Sequence, residues 1–515
     1  MHNPPVMPTL APLADWTSLH PAAVAWAEGT ISIAPGGPTR RARSRALAGA
    51  LAATNRRWGN PVDDDLEAWL GGAEVIVTGQ QPGLVGGPLL TLVKACAVAA
   101  EVARRRAAGT PAVGFVWLAT SDDDLPEMRW ARVPVGEEVV EVREGGWERG
   151  TALGGLVMVS DAVTHLLARL AAAYPGELPA PAIDLARDCF APGTTLGEAC
   201  GRFLGRLLSG LGVVLVDALE PELARAGREV VQRALAALPL VNLELAAQAH
   251  DFAARGWVAP LRVSPGRLPV FRREGVRRVP LPAREGHCPH EVLTAHAATP
   301  EAFVPNVWLR PLVADEVLDT HTSILGGAEL AYHLQARTGW DIVGVGRPRW
   351  RLRPHVTVLT SAERRLARQL GVRPVDLLRS SPPRRVLPGR GLERRLTRLG
   401  TRLEVELGAL VQAARTELPG VVGDAEATAK RVRGSLAWLG ERAQVAALRA
   451  AEIEAGRWRR LVAFVRPNGK PQERYLSVLA PLLRLGLDWP AQLVEALDPS
   501  HPGMQLLGWE EGGRW

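Results

Sequence analysis

The chain has 515 residues, 47% of them hydrophobic and 22% charged, which is typical of a globular protein and excludes a disordered or collagen-like chain. Its length predicts two or three folding units. No uninterrupted apolar run reaches the roughly 18 residues that cross a bilayer, and the N-terminus shows no signal-peptide pattern, so we expect no membrane partner. The four cysteines are scattered without paired spacing, which favours a reduced, cytoplasmic protein without structural zinc.

Basic residues outnumber acidic residues by 61 to 54. The difference, 61 − 54 = +7, comes almost entirely from arginines spread over the predicted helices, since only three residues are lysine. A modest positive field of this kind favours anionic small molecules as ligands. It does not by itself predict a nucleic-acid partner.

Strands and helices alternate through most of the chain. We predict mainly helical structure up to about residue 69, with the clearest helix at 43–58. The run at 113–120 is apolar at successive positions, which indicates a strand buried on both faces and hence a parallel sheet. Around it we predict strands at 75–78, 213–217, 307–312 and 342–345, and helices at 89–106, 195–211, 222–235 and after Gly327. The resulting fold class is α/β, a doubly wound sheet with β-rich insertions at about 135–159 and 258–280.

Two long helices follow this region. Leucines recur at steps of three and four from Leu392 to Leu410, and a second apolar stripe runs from Ala425 to Ile453 after a Pro419-Gly420 break. Long helices joined by a short turn lie antiparallel, so we predict a coiled coil. The predicted domains are a core at 1–385, the antiparallel coiled coil at 386–465, and a return segment at 466–515 that packs on either one.

The most informative segment is Thr78-Gly-Gln-Gln-Pro-Gly-Leu-Val-Gly-Gly-Pro88, in which a strand gives way to a glycine-rich loop and a helix. Glycine lets the backbone approach a ligand, and the first helical turn offers N–H groups to an anion. The spacing fits neither the P-loop nor the dinucleotide fingerprint, and a tight turn without a ligand explains it equally well. The candidate cofactor-binding residues are Thr78, Gly79, Gln80, Gln81, Gly83, Gly86 and Gly87.

Three aspartates, at positions 122 to 124, follow the second strand. Ligands of a doubly wound sheet bind at the carboxyl ends of its strands, so we expect these acids and the glycine loop to face one cavity. Carboxylates there bind an ammonium group or Mg²⁺, or act as a general base; a solvated loop that caps the next helix is the simpler alternative. We take Asp122, Asp124 and Lys94 as candidate catalytic residues.

A third candidate segment lies between Asn306 and Tyr332. Arg310, placed at a predicted strand end, could pair bidentately with a carboxylate or phosphate. Glu329 falls in the first turn of the helix after Gly327, where its charge also complements the helix dipole. The candidate substrate-binding residues are Asn306, Arg310, Gly327, Glu329 and Tyr332.

Together these segments resemble the cysteine-adding enzymes of bacillithiol biosynthesis, a family of cysteine ligases. The matching residues, in family order over about three-quarters of the chain, are 78–94, Trp117-Leu-Ala-Thr120, Asn306-Val-Trp-Leu-Arg-Pro311, Gly326-Gly-Ala-Glu-Leu-Ala-Tyr332 and Gly469-Lys-Pro-Gln-Glu-Arg474. The resemblance implies a Rossmann-like core, a coiled coil and a homodimer. It also implies addition of L-cysteine to the amino group of glucosaminyl-malate, which gives the thiol bacillithiol.

Amide synthesis from a free acid is uphill in water, so we expect ATP to activate the cysteine carboxyl, with Mg²⁺ beside its phosphates. In this hypothesis the glycine loop cradles phosphates and Lys94 offsets charge at the reacting centre. Asp122 and Asp124 hold the cysteine ammonium or Mg²⁺, and Arg310 holds a carboxylate of the malyl group. The identity of the general base and of any metal ligand stays open.

The chain departs from the family pattern at Asp123, where other members carry histidine. The segment before Glu329 is shortened, and Ala314 and Asp319 replace a usual glutamine and proline. Two other functions therefore stay open. One is nucleotidyl or adenylyl transfer to another acceptor, and the other is a nucleic-acid- or protein-binding module that has lost catalysis at Asp123.

Overall fold

A computed structural model describes residues 9–11, 19–36, 42–147, 150–158, 161–378, 390–449 and 452–509. The strands are β1 (Thr9–Ala11), β2 (Glu74–Gln80), β3 (Ala112–Leu118), β4 (Trp130–Val135), β5 (Glu138–Arg143), β6 (Val213–Asp217), β7 (Arg267–Glu274), β8 (Arg277–Pro282), β9 (Phe303–Pro305), β10 (Thr320–Leu325), β11 (Arg349–Leu352), β12 (His355–Thr360) and β13 (Met504–Trp509).

The helices are α1 (Pro21–Ala27), α2 (Arg45–Arg57), α3 (Asp63–Leu70), α4 (Leu90–Ala107), α5 (Leu125–Met128), α6 (Ala162–Ala173), α7 (Ala180–Cys189), α8 (Leu196–Leu208), α9 (Pro221–Ala226), α10 (Arg228–Ala236), α11 (Leu238–Ala254), α12 (His290–Ala298), α13 (Leu309–Leu318), α14 (Gly327–Gln335), α15 (Thr338–Val343), α16 (Ser361–Gln369), α17 (Arg390–Glu417), α18 (Val422–Arg449), α19 (Glu452–Val465), α20 (Gln472–Tyr475), α21 (Leu479–Leu485) and α22 (Trp489–Ala496). Short 3₁₀ turns lie at Leu84–Gly86, Leu153–Gly155, Pro300–Ala302, Pro374–Leu377, Pro419–Val421 and Pro467–Gly469.

A parallel five-stranded sheet forms the centre of the first compact unit, which comprises residues 1–135, 139–361 and 470–515. Its strand order is β11-β10-β2-β3-β6, and every neighbouring pair is parallel. All seven residues of β3 are buried, as expected for a strand covered on both faces. The predicted doubly wound parallel sheet is therefore confirmed.

Helix α4 lies between the central sheet and a second layer of structure. It packs on β2 and β3 on one side and on β12 and α22 on another. Burial on several sides explains why its sequence is apolar nearly all round rather than striped. Gly114 in β3 permits this packing, because a Cβ there would lie 2.6 Å from the Val98 side chain.

Smaller sheets surround this core. Strand β13 pairs in parallel with β12 and antiparallel with β1. Strands β7 and β8 form an Arg-rich hairpin that also pairs with β9, and β4 and β5 form a two-stranded sheet. The β4–β5 pair overlaps the start of the insertion predicted at about 135–159, and the β7–β8 hairpin overlaps the end of the one predicted at about 258–280.

Two predicted strands are wrong. Residues 307–312 fall largely in helix α13, and residues 342–345 lie at the end of helix α15 and just beyond it. The strands of this region are instead β10 and β11. Short apolar runs fit a buried helix as well as a strand, so periodicity alone does not distinguish them.

The second compact unit comprises residues 136–138 and 362–469. Its helices α17 and α18 pack against each other in antiparallel orientation, with ion pairs Arg415–Glu426 (2.5 Å) and Arg433–Glu404 (2.8 Å) between them. The leucine seam is narrower than predicted: Leu407 is buried, whereas Leu392, Leu399 and Leu410 are exposed. The predicted domain boundary at 385/386 lies outside the described residues.

Within the described ranges, no single helix is long and apolar enough to span a bilayer. The adjoining helices α10 and α11 meet the length and composition criteria only when taken together across a 75° bend.

The buried carboxyl of Asp315, on α13, makes the stability of the fold depend on pH. It accepts a hydrogen bond from Trp340 Nε1 at 2.9 Å. Burial raises its pKa to about 7, although the Trp340 N–H and the Arg310 charge act in the opposite direction. At Asp315 the folded chain therefore binds up to one proton more than the unfolded chain between about pH 4 and pH 7.

We predict that Asp315 contributes a fall in the free energy of unfolding as pH rises through this window, and that Asp315→Asn removes this contribution. The buried His296, His333 and His355, whose pKa values burial lowers to about 4, act in the opposite direction in both proteins. Asparagine cannot ionise but still accepts the Trp340 hydrogen bond. Urea unfolding at pH 5 and pH 7.5 measures this contribution. Between the two pH values, the free energy of unfolding should fall by on the order of 2 kcal/mol more in the wild type than in the variant. An identical pH dependence in both proteins would contradict the prediction.

Candidate active site

A cavity of about 600 Å³ lies at the carboxyl ends of β2, β3, β10 and β11. Its lining residues are Gly79, Gln80, Gln81, Leu90, Lys94, Ala119, Ser121, Asp122, Asp124, Phe271, Arg278, Pro305, Asn306, Val307, Arg310, Gly326, Gly327, Ala328, Glu329, Tyr332, Arg353 and Arg474. The volume is in the range of small-molecule sites. The loops after neighbouring parallel strands thus converge, as ligand sites of doubly wound sheets do.

Most of the predicted site residues meet in this cavity. Those that line it are Gly79, Gln80, Gln81, Lys94, Asp122, Asp124, Asn306, Arg310, Gly327, Glu329 and Tyr332. Thr78, Gly83, Gly86 and Gly87 are not among the lining residues. The Thr78 hydroxyl instead donates to the Ile324 carbonyl at 2.7 Å, which links β2 to β10.

The second half of the glycine loop is a packing element, which corrects the predicted phosphate cradle. Gly86 has φ +83°, and a Cβ there would lie 2.9 Å from the Phe203 ring and 3.1 Å from Val478. A Cβ on Gly83 would lie 2.7 Å from the Gly87 Cα. These glycines therefore permit a tight turn against α8 and the segment around Val478 rather than close approach to a ligand.

The N-terminus of α4 is likewise occupied by protein. The Leu89 N–H donates to the Leu476 carbonyl at 2.7 Å, and Pro88 pairs with Ser477 in an isolated β-bridge. Helix α4 consequently begins at Leu90 rather than at Pro88. The Leu89 N–H at the start of this helix is therefore not available to an anion.

Lys94 is held by three acceptors at the cavity wall. Its Nζ lies 2.6 Å from the Gly79 carbonyl, 3.1 Å from Gln80 Oε1 and 2.6 Å from Glu329 Oε2. An ammonium group has three N–H donors, so each one already has a partner. This geometry therefore does not favour the predicted role of Lys94, which was to offset charge at the reacting centre. Lys94 instead positions the turn after β2 against α14.

Glu329 is the counter-ion of this lysine and also completes the start of α14. Its Oε2 accepts from the Gly326 N–H at 2.6 Å, as in a capping box. Burial lowers the pKa of Lys94, while the Glu329 carboxylate opposes that effect. Although burial alone would raise it, the Lys94 charge and the Gly326 N–H hold the pKa of Glu329 below its usual value.

Two of the three aspartates after β3, Asp122 and Asp124, form an acidic part of the cavity wall. Asp122 Oδ2 accepts from Gln81 Nε2 at 2.6 Å, and its Oδ1 accepts from the Asp123 N–H at 2.8 Å. Burial raises the pKa of Asp124, and the charges of the two neighbouring aspartates raise it further. Asp123 itself pairs with Arg278 at 2.9 Å and does not line the cavity. The residue that replaces the family histidine thus anchors an arginine.

Arg310 lies in the first turn of α13, not at a strand end as predicted. Asn306 fixes that turn, because its Oδ1 accepts from the N–H groups of Trp308 (3.2 Å) and Leu309 (3.1 Å). The guanidinium donates to the Tyr332 hydroxyl at 2.9 Å. Burial raises the pKa of Tyr332, so its phenol stays protonated at neutral pH.

Three cavity arginines were missed by the sequence analysis. Arg278 comes from the β7–β8 hairpin, Arg353 follows β11, and Arg474 lies in α20. Arg353 pairs with Glu473 through both terminal nitrogens, at 2.9 and 2.6 Å, and both side chains are fully buried. Although burial alone would raise it, Arg353 and His355 hold the pKa of Glu473 well below its usual range. The match at 469–474 was the one available signal for this pair.

The cavity thus brings opposite charges together from distant segments. Asp122 and Asp124 line it together with Arg278, Arg310, Arg353 and Arg474, and Arg278 Nη1 lies 3.4 Å from Asp122 Oδ1. Such a site can hold a zwitterion and a polyanion together. Among the described residues, no group of three or more His, Cys, Asp or Glu side chains has a metal-binding arrangement.

Comparison with known proteins agrees with the fold and the matching segments. Residues 37–354 match the family model described as the bacillithiol biosynthesis BshC N-terminal Rossmann-like domain, and residues 390–509 match the BshC C-terminal coiled-coil domain. Curated relatives named "Putative cysteine ligase BshC" include those of Koribacter versatilis (27% identity, 88% of each chain), Solibacter usitatus (26%, 83% of each) and Symbiobacterium thermophilum (27%, 87% of each).

These matches confirm the predicted Rossmann-like core, coiled-coil domain and resemblance to a ligase family. Each relative spans most of its own length in the alignment, so the likeness covers both domains. The first family model alone covers more than half of the 515 residues. The chain therefore belongs to the BshC family of bacillithiol biosynthesis.

Proposed function

We propose that the chain is a ligase that joins the carboxyl group of L-cysteine to the amino group of glucosaminyl-malate, forming the amide bond of bacillithiol. The observation that carries the proposal is the presence of both signs of charge in one cavity, which Asp122 and Asp124 line together with a set of arginines. Cysteine offers an ammonium to the acids, and the malyl group offers carboxylates to the guanidinium groups. Membership of a family named for cysteine ligation in bacillithiol biosynthesis supports this choice of substrates, and the charged groups of the cavity are complementary to them.

Within this proposal the side chains have distinct roles. Asp122 holds the cysteine ammonium and is itself oriented by Gln81. Arg310, steadied by Tyr332, holds a malyl carboxylate. Lys94 and Glu473 are positioning residues, since one fixes the turn after β2 and the other fixes Arg353. With the amino group and the carboxyl carbon held together, their reaction becomes effectively intramolecular.

ATP is the proposed activator of the cysteine carboxylate, to which it would transfer a phosphoryl or adenylyl group. The residues present fit a polyanion, although not at the predicted glycine loop. Arg474 lines the cavity together with Gly326, Gly327 and Ala328 at the N-terminus of α14, where backbone N–H groups and the helix dipole favour negative charge. Mg²⁺ would accompany the phosphates, with Asp122 and Asp124 as the nearest oxygen donors. A cytoplasmic homodimer is part of the same proposal.

Mass spectrometry of one reaction tests the function. Pure protein incubated with L-cysteine, glucosaminyl-malate and ATP should yield bacillithiol, and omission of any one substrate should abolish it. AMP or ADP in the same sample identifies which group ATP transfers. Nucleotide turnover without thiol product would favour the alternative of nucleotidyl transfer to another acceptor.

We predict that Asp122→Asn abolishes thiol product while the fold stays intact. Asparagine keeps the shape and still accepts from Gln81, but it lacks the charge that holds an ammonium group. Product formation and the melting temperature are measured together. Asp63→Asn, which breaks an exposed ion pair with Arg56, is the matched control and should keep full activity. Wild-type yield from Asp122→Asn would remove the acid from the mechanism.

A second prediction separates the structural role of Lys94 from its effect on catalysis. Lys94→Met leaves Glu329 without its counter-ion and should lower the free energy of unfolding by about 3 kcal/mol. Lys94→Met combined with Glu329→Gln removes both charges and should recover most of that loss. Neither protein should make product, because the turn that carries Gly79 and Gln80 loses its anchor.

Urea unfolding and the product assay read the two effects separately. A double variant as unstable as Lys94→Met would contradict the assigned ion pair. A double variant with normal turnover would show that the lysine has no part in shaping the site.

A third prediction concerns recognition of the malyl group. Arg310→Lys keeps the charge but loses the planar pair of donors and the contact with Tyr332. We expect KM for glucosaminyl-malate to rise about tenfold, while KM for cysteine changes little. Steady-state kinetics with each substrate varied in turn checks this. An equal rise in both constants would place Arg310 elsewhere in the mechanism.

A further inference from the structure

A second, much smaller cavity adjoins the charged one. It has a volume of about 30 Å³, and Ser121, Pro305 and Arg310 line both cavities. We call it the side chamber. Its volume is that of about one water molecule or one sulfur atom. The two cavities therefore adjoin each other at these three residues, of which Ser121 directly precedes Asp122.

The walls of the side chamber are mostly apolar. Val270 of β7, Phe303 of β9 and Val313 of α13 contribute to them, all buried. Ala224 of α9 also lines the chamber. An apolar wall disfavours charged or strongly hydrated groups, which lose their water on entry.

Besides Ser121 and Arg310, two further polar side chains interrupt this apolar lining. Trp117 and His296 line the chamber and are 3% and 2% exposed. Within the described residues, Trp117 Nε1 and His296 Nδ1 are both buried without a hydrogen-bond partner. A buried polar group left unpaired costs about 1–3 kcal/mol, so two of them around one chamber indicate a missing partner.

The hydrogen-bonding capacity of the pair defines that partner. Indole Nε1–H can only donate, and a neutral imidazole offers one donor and one acceptor nitrogen. Burial and the nearby charge of Arg228 lower the pKa of His296 to about 4, which keeps the ring neutral near pH 7. A group that both accepts and weakly donates therefore satisfies the two nitrogens together.

We propose that the side chamber is the subsite for the thiol side chain of cysteine, with Trp117 donating to sulfur and His296 accepting from S–H. This rests on the proposed ligase function. A thiol is small, polarisable and weakly hydrated, so it suits apolar walls with one donor and one acceptor. Serine would lose more hydration on entry, and alanine would leave both nitrogens unpaired. The chamber thereby selects cysteine over its closest analogues.

Competition between amino acids tests the inference. The full-length protein is given glucosaminyl-malate, ATP and equal L-cysteine, L-serine and L-alanine, and the three amides are counted by mass spectrometry. Trp117→Phe and His296→Phe each remove one polar nitrogen while keeping an aromatic ring. We expect the preference for cysteine over alanine to fall about tenfold in each, with KM for glucosaminyl-malate unchanged.

Trp350→Phe is the matched control, since Trp350 Nε1 is also buried and unpartnered within the described residues but lies outside the chamber. The preference of Trp350→Phe for cysteine over alanine should equal that of the wild type. If a ring variant fails to fold, Ala224→Val decides, because it narrows the chamber without touching either nitrogen and should raise KM for cysteine alone.

The results separate the subsite from the overall function. A wild type that makes bacillithiol, with unchanged cysteine preference in folded Trp117 and His296 variants, overturns the subsite and leaves the ligase standing. An unchanged KM for cysteine in Ala224→Val does the same. A wild type that joins none of the three amino acids overturns the ligase proposal and the thiol subsite with it.

Discussion

The ammonium group of Lys94 is the constraint on which the shape of the site depends. It joins the end of β2, through the Gly79 carbonyl and Gln80, to the first turn of α14, through Glu329. These segments are more than 230 residues apart in sequence. Because an unpaired buried charge is costly, the three contacts tend to form together. The loops that carry the chemistry are thereby held in one arrangement.

The charged side chains around this ion pair are brought together by the fold, since they come from segments that are distant in sequence. The acids come from one loop after β3, whereas the cavity arginines come from the β7–β8 hairpin, α13, the end of β11 and α20. Each guanidinium is steadied by a different partner, such as Tyr332 for Arg310 and Glu473 for Arg353. Fixed guanidinium groups recognise carboxylates and phosphates without reorganising on binding. This arrangement matches the joining of a zwitterion to a dianion.

Much of the core could be predicted because its signals are local. Strands β2, β3 and β6 are continuous apolar runs, and the acids after β3 lie where the end of a parallel strand places them. The helical hairpin follows from its leucine spacing and the Pro419-Gly420 break. In each case the residues that decide the structure are neighbours in sequence.

Most of the wrong or missed predictions concern places where segments distant in sequence determine the structure. The loop glycines Gly83, Gly86 and Gly87 fit an anion cradle by pattern, but the chain returns near Val478 and packs on that turn. The run at 307–312 is a separate, local case: it has no periodicity to separate helix from strand, and hydrogen bonds from the Trp308 and Leu309 N–H groups to the neighbouring Asn306 form the turn in which the helix begins. Arg278 and Arg353 were missed because nothing near them in sequence shows that they reach the cavity. Only the tertiary structure shows that these arginines line the cavity.

The central claim is that the charged cavity at the strand ends holds both substrates. A crystal structure of the protein with glucosaminyl-malate tests it most directly. The account predicts ligand density in this cavity, with a malyl carboxylate within hydrogen-bond distance of Arg310 and the sugar amino group facing the Asp122 side. Ligand bound elsewhere, or bound here with its amino group turned away from the acids, would contradict it.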